Sequence, residues 1–181
     1  MKKKIRKILA YLRGEPQNIE MLYKRGLRIG KNFYRGPGVI IDPSHCYHIT
    51  IGDNVTLAPR VHILAHDSST FMFLGKTRAA NVAIGNYVFV GAGSIILPGV
   101  HIGSRVIIGA GSIVTKDIPD NSVAVGNPAK VVYGIDNYLE KEKAKMCASN
   151  TFIGLDLEKP DDITRAIAAA EKFGEIFVSS K

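Results

Sequence analysis

Aliphatic residues recur at every sixth position through the middle of the chain. They form a first run and a second, longer run: Ile51, Leu57 and Ile63, then Ile84, Val90, Ile96, Ile102, Ile108 and Val114. A period of six is neither the 3.6-residue period of a helix nor the alternation of a single strand. It is typical of short strands that meet at regular corners, each with one aliphatic side chain pointing inward. The spacing therefore predicts an all-β fold in which the chain winds as a β-helix solenoid.

The residues that follow the inward positions indicate that three hexapeptides make one coil. They repeat in the order small, small, large: Gly52, Ala58, Leu64; Gly85, Gly91, Leu97; Gly103, Gly109, Thr115. Between Ile63 and Ile84 the chain carries about 15 residues more than the period allows, and the face order resumes at Ile84. Long insertions in compact domains leave as surface loops. We therefore expect a protruding loop over residues 67–81, at the corner after the third face.

The rest of the chain divides around this repeat. We expect a basic helical segment over residues 1–26, the β-helix domain over residues 27–132, and a C-terminal helical extension over residues 133–181. Residues 29–40 look like degenerate first repeats, in which Arg35 occupies an inward position. An arginine at that position predicts an irregular first coil.

Two capping signals predict the helices of the extension. Asn137 followed three residues later by Glu140 fits a capping box, which predicts a helix over residues 138–148. The acidic pair that begins at Asp161 precedes apolar residues at helical spacing, which predicts an amphipathic helix as far as Phe173 or Phe177.

Composition and charge limit the classes of protein and partner. Hydrophobic residues make up 46% and charged residues 22% of the chain, which is ordinary for a folded protein. The formal net charge of +8 favours an anionic partner. No zinc-ligand spacing and no basic helix with flanking aromatics occurs, so we expect no nucleic-acid partner. No apolar run approaches the roughly 20 residues of a spanning helix, and no secretory signal is present, which favours a cytoplasmic protein.

A basic stripe near the start of the chain has two interpretations. Ile5, Ile8, Leu9 and Leu12 have the spacing of an amphipathic helix surrounded by lysines. Such a helix over residues 1–13 would make weak contact with the inner membrane surface. Alternatively, it would pack on the open first coil.

A repeated tetrapeptide marks one face of the predicted solenoid. Gly-Ala-Gly-Ser occurs at residues 91–94 and again at residues 109–112, one coil later. Stacked strands lie roughly 4.8 Å apart, so the two copies would form a column. Glycine and alanine let a long ligand approach the backbone closely, and they also fit tight corners. The functional and the structural interpretation both remain open.

From about residue 27 to 132 the chain closely resembles the hexapeptide-repeat acetyltransferases, which include maltose, galactoside and polysaccharide O-acetyltransferases. The most specific stretches are residues 108–119 and 125–131. The resemblance implies a left-handed parallel β-helix, a homotrimer, and acetyl-CoA bound along the solenoid between two subunits. The resemblance also implies that the backbone groups of Ala92 and Ala110 contact the pantetheine arm of the ligand. The residues at its nucleotide end would be Thr115, Lys116 and Lys130.

His66 is the candidate catalytic residue. It stands at the corner after the third face, immediately before the loop, and the resemblance implies that the catalytic histidine lies there. An imidazole that titrates near neutral pH suits the removal of an acceptor's proton. We expect direct transfer from acetyl-CoA to a sugar or glycan hydroxyl without a metal, with the Ala92 N–H as candidate oxyanion donor. Asp67 is a candidate to hold the imidazole or the acceptor. His45, His48 and His62 either line the acceptor side or are plain surface residues.

Two other functions compete with acetyl transfer. A γ-class carbonic anhydrase would need histidines that converge on a metal, for which His62, His66 and His101 are candidates. A non-catalytic scaffold would use the solenoid as a stacking surface and would have no affinity for coenzyme A.

The acceptor and the choice between O- and N-acetylation stay open. The segment over residues 35–38 is more similar to the polysaccharide and nucleotide-sugar branch of the family than to the maltose and galactoside branch. The loop supplies Phe71, Phe73, Lys76 and Arg78, which suit a sugar with an anionic group.

Overall fold

The computed structural model describes residues 18–179, which fall into two compact units. The first unit ends at Ile135 and the second begins at Asp136. The amphipathic stripe predicted over residues 1–13 lies outside the described residues. Within residues 18–179, no helix is both long enough and apolar enough to cross a bilayer.

From residue 18 onward, the first unit contains a short helix, α1 (Ile19–Lys24), followed by short strands. These strands are β1 (Arg28–Ile29), β2 (Tyr34–Arg35), β3 (Ile40–Ile41), β4 (Ile49–Ile51), β5 (Thr56–Leu57), β6 (His62–Ile63), β7 (His66–Asp67), β8 (Arg78–Ala79), β9 (Val82–Ile84), β10 (Val88–Val90), β11 (Ile95–Ile96), β12 (His101–Ile102), β13 (Val106–Ile108), β14 (Ile113–Val114), β15 (Ser122–Val125) and β16 (Lys130–Gly134). A 3₁₀ turn over Cys46–His48 precedes β4, and a one-turn helix, α2 (Phe71–Leu74), lies between β7 and β8.

Three sheets collect every third strand of the repeat. The first has the order β1-β4-β9-β12, the second β2-β5-β10-β13-β15-β16, and the third β3-β6-β11-β14. Pairing is parallel throughout, except that the final strand β16 is antiparallel to β15. The chain thus visits the three sheets in turn and returns one strand higher each time. We call the part formed by β1–β6 and β9–β16 the solenoid.

The register confirms the phase of the hexapeptide pattern. Ile51 aligns with Ile84 in the first sheet, and Ile63 aligns with Ile96 in the third, so the face order does resume after the insertion. The aligned aliphatic side chains are buried in one continuous core. Fully burying such a side chain contributes roughly 1.5–3 kcal/mol relative to leaving it exposed, so this column is the main source of stability.

Polar side chains close the corner after the first sheet. The Asp53 carboxylate accepts the Lys31 N–H at 2.6 Å, and the Asn86 amide oxygen accepts the Asp53 N–H at 2.8 Å. The Ser104 hydroxyl oxygen accepts the Asn86 N–H in the same way at 3.1 Å. Each coil therefore satisfies a backbone donor of its neighbour, which explains the polar residue that follows the Ile-Gly pairs at this corner.

The first coil is regular, contrary to the prediction from Arg35. Backbone pairing aligns Arg35 with Leu57 in the second sheet, in the same register as the later coils. The register is held by backbone hydrogen bonds, such as that from Gly36 N to Leu57 O at 2.8 Å, and these do not depend on the side chain. Burial lowers the pKa of the half-buried Arg35 guanidinium.

The predicted loop is a hairpin with an apolar tip. Strands β7 and β8 pair antiparallel, with His66 opposite Ala79, and α2 forms the turn. The four residues of α2 are exposed to 57%, 92%, 86% and 69% in chain order. This run of Phe71, Met72, Phe73 and Leu74 leaves a contiguous apolar surface at the end of the hairpin.

The second unit contains two helices and a pair of strands. Helix α3 spans Ile135–Lys145 and α4 spans Pro160–Phe173, while β17 (Thr151–Ile153) pairs parallel with β18 (Phe177–Ser179). The capping-box prediction is wrong, because α3 begins directly after β16 and Asn137 lies inside it. Helix α4 begins at Pro160, which suits a first helical position, so Asp161 lies in its first turn. Phe177 belongs to a strand that the sequence analysis did not predict.

Candidate active site

His66 is the first residue of the hairpin and is held from one side. Its Nδ1 atom donates to Oδ2 of Asp42, and the same oxygen accepts the Ala65 N–H at 3.0 Å. Ala65 is fully buried, so the backbone just before His66 is fixed by the core. The imidazole itself keeps 30% of its surface exposed. His66 therefore combines a fixed orientation with access from outside.

Asp42 is a buried carboxylate whose oxygens are all engaged. It directly follows β3, and its side chain has no exposed surface. Oδ1 accepts the backbone N–H of Ser44 at 3.0 Å, the Ser44 hydroxyl at 2.9 Å and the backbone N–H of His45 at 3.0 Å. Burial raises the pKa of Asp42, but the hydrogen bonds from His66, His45, Ala65 and Ser44 outweigh it and lower that pKa to about 2.

This arrangement fixes the tautomer of His66. An ionised carboxylate accepts hydrogen bonds and donates none, so the proton between the two groups belongs to Nδ1 of His66. The neutral ring then presents Nε2 as an acceptor, away from Asp42. A histidine held in this way can take a proton from a hydroxyl, and the buried carboxylate stabilises the imidazolium that forms.

His45 lies directly against this imidazole. The rings of His45 and His66 are stacked, with centroids 4.4 Å apart and 29° between their planes. His45 stands before the 3₁₀ turn, whose end is held by a hydrogen bond of 2.7 Å between His48 Nδ1 and Asn81 Oδ1. The sequence analysis left His45 open as either an acceptor-side or a surface residue, and it did not consider Asp42. The repeat phase could have placed Asp42 near this corner, because it directly follows Ile41, which aligns with Ile63; the period does not reach His45.

Asp67 does not hold the imidazole, since Asp42 occupies that position. Its Oδ1 accepts the Ser69 N–H at 2.9 Å, and its Oδ2 lies 3.7 Å from the Arg78 guanidinium across the hairpin. The hydrogen bond from Ser69 lowers the pKa of Asp67. These contacts stabilise the hairpin, and contact of Asp67 with an acceptor stays a prediction.

The two Gly-Ala-Gly-Ser copies stack as the period predicts. Gly91 N donates to Ile108 O, and Gly111 N donates to Ala92 O, both at 2.8 Å. The serines have a structural function, because the buried hydroxyls of Ser94 and Ser112 both donate to Gly109 O, at 2.9 and 2.7 Å. Packing thus explains why both tetrapeptides end in serine. The small residues still leave the backbone of Ala92 and Ala110 open to the approach of a ligand.

The predicted nucleotide-end residues come together at the last coil. Thr115 and Lys116 directly follow β14, and Lys130 begins β16. A hydrogen bond of 2.8 Å from Ala129 N to Ile113 O brings the two segments side by side. All three side chains are exposed, so this end of the solenoid offers two ammonium groups to a solvent-borne anion.

The histidines that a carbonic anhydrase would need do not converge on one point within a single copy of this chain. His62 lies in the third sheet and His101 in the first. Among residues 18–179, the residues of metal-ligand type that lie within reach of a common ion are instead Asp42, His45 and His66. Both Asp42 oxygens already accept hydrogen bonds, so a metal there would have to displace them.

The solenoid and its corner histidine define a hexapeptide-repeat protein, and comparison with known proteins assigns the family. The family described as bacterial transferase hexapeptide (six repeats) matches residues 81–116. A solved maltose O-acetyltransferase from Clostridium difficile 630 is 33% identical, covers 71% of this chain and is itself covered to 83%, with a TM-score of 0.54. The chain belongs to the hexapeptide-repeat acetyltransferase family.

Two further proteins are similar over the solenoid. A galactoside acetyltransferase solved in complex with coenzyme A is 29% identical, with 77% of this chain and 84% of that chain covered and a TM-score of 0.54. Protein CapG of Staphylococcus aureus is 49% identical over 102 residues, which are 54% of this chain. The chain spans only 59% of the length of CapG.

Proposed function

We propose that this protein transfers an acetyl group from acetyl-CoA to a hydroxyl of a sugar or glycan, on a left-handed β-helix, with His66 as general base. The observation that carries the proposal is the Asp42–His66 pair, which leaves Nε2 of an accessible imidazole ready to accept a proton. The similarity to maltose and galactoside acetyltransferases supports the sugar class of acceptor, and the second of these supports coenzyme A as the acyl carrier.

The proposed reaction is a direct transfer. Nε2 of His66 accepts the hydroxyl proton while the acceptor oxygen attacks the thioester carbonyl carbon. The tetrahedral intermediate then collapses, its C–S bond breaks, and the departing thiolate recovers the proton from His66. Asp42 remains ionised throughout, because its pKa of about 2 lies far below neutral pH.

The donor side of the reaction would use the column of small residues. A pantetheine arm alongside Ala92 and Ala110 would approach the backbone without meeting large side chains. The Ala92 N–H is the candidate donor to the oxyanion, where a fixed donor typically contributes about 10²–10³ in rate. Lys116 and Lys130 would act on phosphate as point charges.

The assembly is a homotrimer in this proposal. The apolar tip of the hairpin, Phe71–Leu74, projects from the corner that carries His66. Contiguous exposed apolar surface marks an interaction site, and a neighbouring copy that covers it would also bring its own small-residue column toward His66.

An acceptor screen tests the proposed function. The purified protein is mixed with acetyl-CoA and a panel of sugars and amines, and free thiol release is followed together with the acetylated product. We expect thiol release that depends on a sugar hydroxyl. Release without product, or product only on amines, would contradict the proposal.

A further inference from the structure

We propose that His45 recognises a second hydroxyl of the acceptor, so that the enzyme selects acceptors with two neighbouring hydroxyl groups over those with one. The inference rests on the proposed function, because it assumes that His66 Nε2 meets the hydroxyl that is acetylated. It assigns a binding role to a residue that has no part in the proposed proton transfer.

The hydrogen bonds around Ser44 fix the tautomer of His45. The Ser44 hydroxyl donates its proton to Asp42 Oδ1 at 2.9 Å, because a carboxylate accepts and does not donate. The contact of 3.1 Å between Ser44 Oγ and His45 Nδ1 must then be a donation from Nδ1–H to the hydroxyl oxygen. The neutral form of His45 therefore carries its proton on Nδ1, which leaves Nε2 as the acceptor in that form.

Two equivalent acceptors result from one buried carboxylate. Asp42 orients His66 directly and His45 through Ser44, so both Nδ1 atoms face the same polar anchor. The rings are stacked with their centroids 4.4 Å apart, so the two imidazoles offer their Nε2 atoms within one small region of the corner. Adjacent hydroxyls on a sugar ring present two donors side by side, which matches this pair of acceptors.

The same geometry favours two hydroxyls over one metal ion. The Nδ1 atoms of both rings are already engaged, that of His66 with Asp42 and that of His45 with Ser44. The third candidate ligand, Asp42, already accepts five hydrogen bonds.

The backbone of His45 is held independently of its ring. The His45 N–H donates to Asp42 Oδ1 at 3.0 Å, and the next residue, Cys46, is fully buried. Replacement of the imidazole by another flat ring should therefore preserve both the turn and the stacking on His66. His45→Phe removes the acceptor nitrogen and keeps the stack, and His45→Gln restores a side-chain acceptor.

The experiment compares kcat/KM for two acceptors, a methyl glycoside with adjacent hydroxyls and the same glycoside with one of them replaced by hydrogen. We expect the wild-type protein to prefer the diol by about tenfold, the factor of one hydrogen bond to an uncharged partner. In His45→Phe the preference should fall to about one. His45→Gln should restore part of the preference. His101→Phe, on the exposed face of β12, is the matched control and should keep the full preference.

Two outcomes overturn the proposal while leaving the proposed function intact. The first is equal use of both acceptors by the wild-type protein, and the second is an undiminished diol preference in His45→Phe. Absence of transfer to any hydroxyl acceptor by the wild-type protein would refute the proposed function itself.

Discussion

The Nδ1 atom of His66 donates its proton to Oδ2 of Asp42, which stands 24 residues earlier in the chain. The two residues meet because β3 and β6 are neighbours in the third sheet and their following residues share one corner. The carboxylate receives further hydrogen bonds from the backbone on both sides of that corner. The same contact therefore links a structural junction between two coils to the base of the proposed reaction.

Replacement of His66 by alanine should separate binding from catalysis. We expect His66→Ala to lower acetyl transfer by about 10²- to 10⁴-fold, the usual loss for a general base, with acetyl-CoA affinity nearly unchanged. Steady-state kinetics and calorimetric titration with acetyl-CoA measure the two quantities. The wild-type rate should also fall at acid pH, because a protonated ring cannot accept a proton. Near-normal turnover in the variant would place the base elsewhere.

The buried carboxylate predicts a pH-dependent stability. The folded-state pKa of Asp42, about 2, is below its ordinary value of 3.8, so its contribution is present above that ordinary value and is lost as the pH falls toward 2. The shift corresponds to roughly 2 kcal/mol at neutral pH. Asp42→Asn should therefore be less stable than wild type at pH 6, and the difference should shrink between pH 4 and pH 2. Chemical denaturation at a series of pH values measures it, and a constant difference would contradict the assignment.

The stacking of coils predicts opposite outcomes at two nearby glycines. A Cβ atom on Gly91 would lie 2.4 Å from Ala110 N, so Gly91→Ala should destabilise the solenoid and shift the Ala110 backbone. Gly93 has a positive φ of 70° but no atom within 4 Å of an added Cβ. Asparagine tolerates that conformation, so Gly93→Asn is the matched control and should cost about 1 kcal/mol or less. Thermal unfolding compares the two, and equal stability would contradict the close coil contact.

The two lysines at the last coil predict that the protein distinguishes coenzyme A from dephospho-coenzyme A by the 3′-phosphate. Lys116→Ala and Lys130→Ala should weaken binding of coenzyme A while sparing dephospho-coenzyme A, because the ammonium groups would act on the 3′-phosphate. Isothermal titration with both ligands measures the difference, and Lys24→Ala, in α1, is the control. Equal losses for the two ligands would refute this role.

The interfacial site predicts that activity depends on assembly. Light scattering should report a trimer, and replacement of Met72 and Phe73 by serine should weaken the trimer and the transfer rate together, because these two side chains are among the most exposed apolar groups of the hairpin tip. A monomer with full activity would contradict a site shared between subunits.

The amino-acid sequence by itself determined the winding of the chain. A strict six-residue period leaves one way to bury its aliphatic positions, so the three faces, the register across the insertion and the corner position of His66 all followed from spacing. The same reasoning failed for Arg35, because the register is carried by backbone pairing that tolerates an unusual inward side chain. It also failed at Asn137, where the antiparallel strand β16 passes directly into α3.

Only the tertiary structure decided which groups surround His66. Asp42, Ser44 and His45 belong to a different coil, and their hydrogen bonds depend on the conformation of an irregular corner that no period describes. The spacing of residues along the chain does not specify atomic positions to a fraction of an ångström. That precision decides the hydrogen-bond direction, the ring stacking and the tautomer of each histidine. Periodicity specifies where the coils lie, whereas the chemistry of the site depends on side chains that meet across two coils.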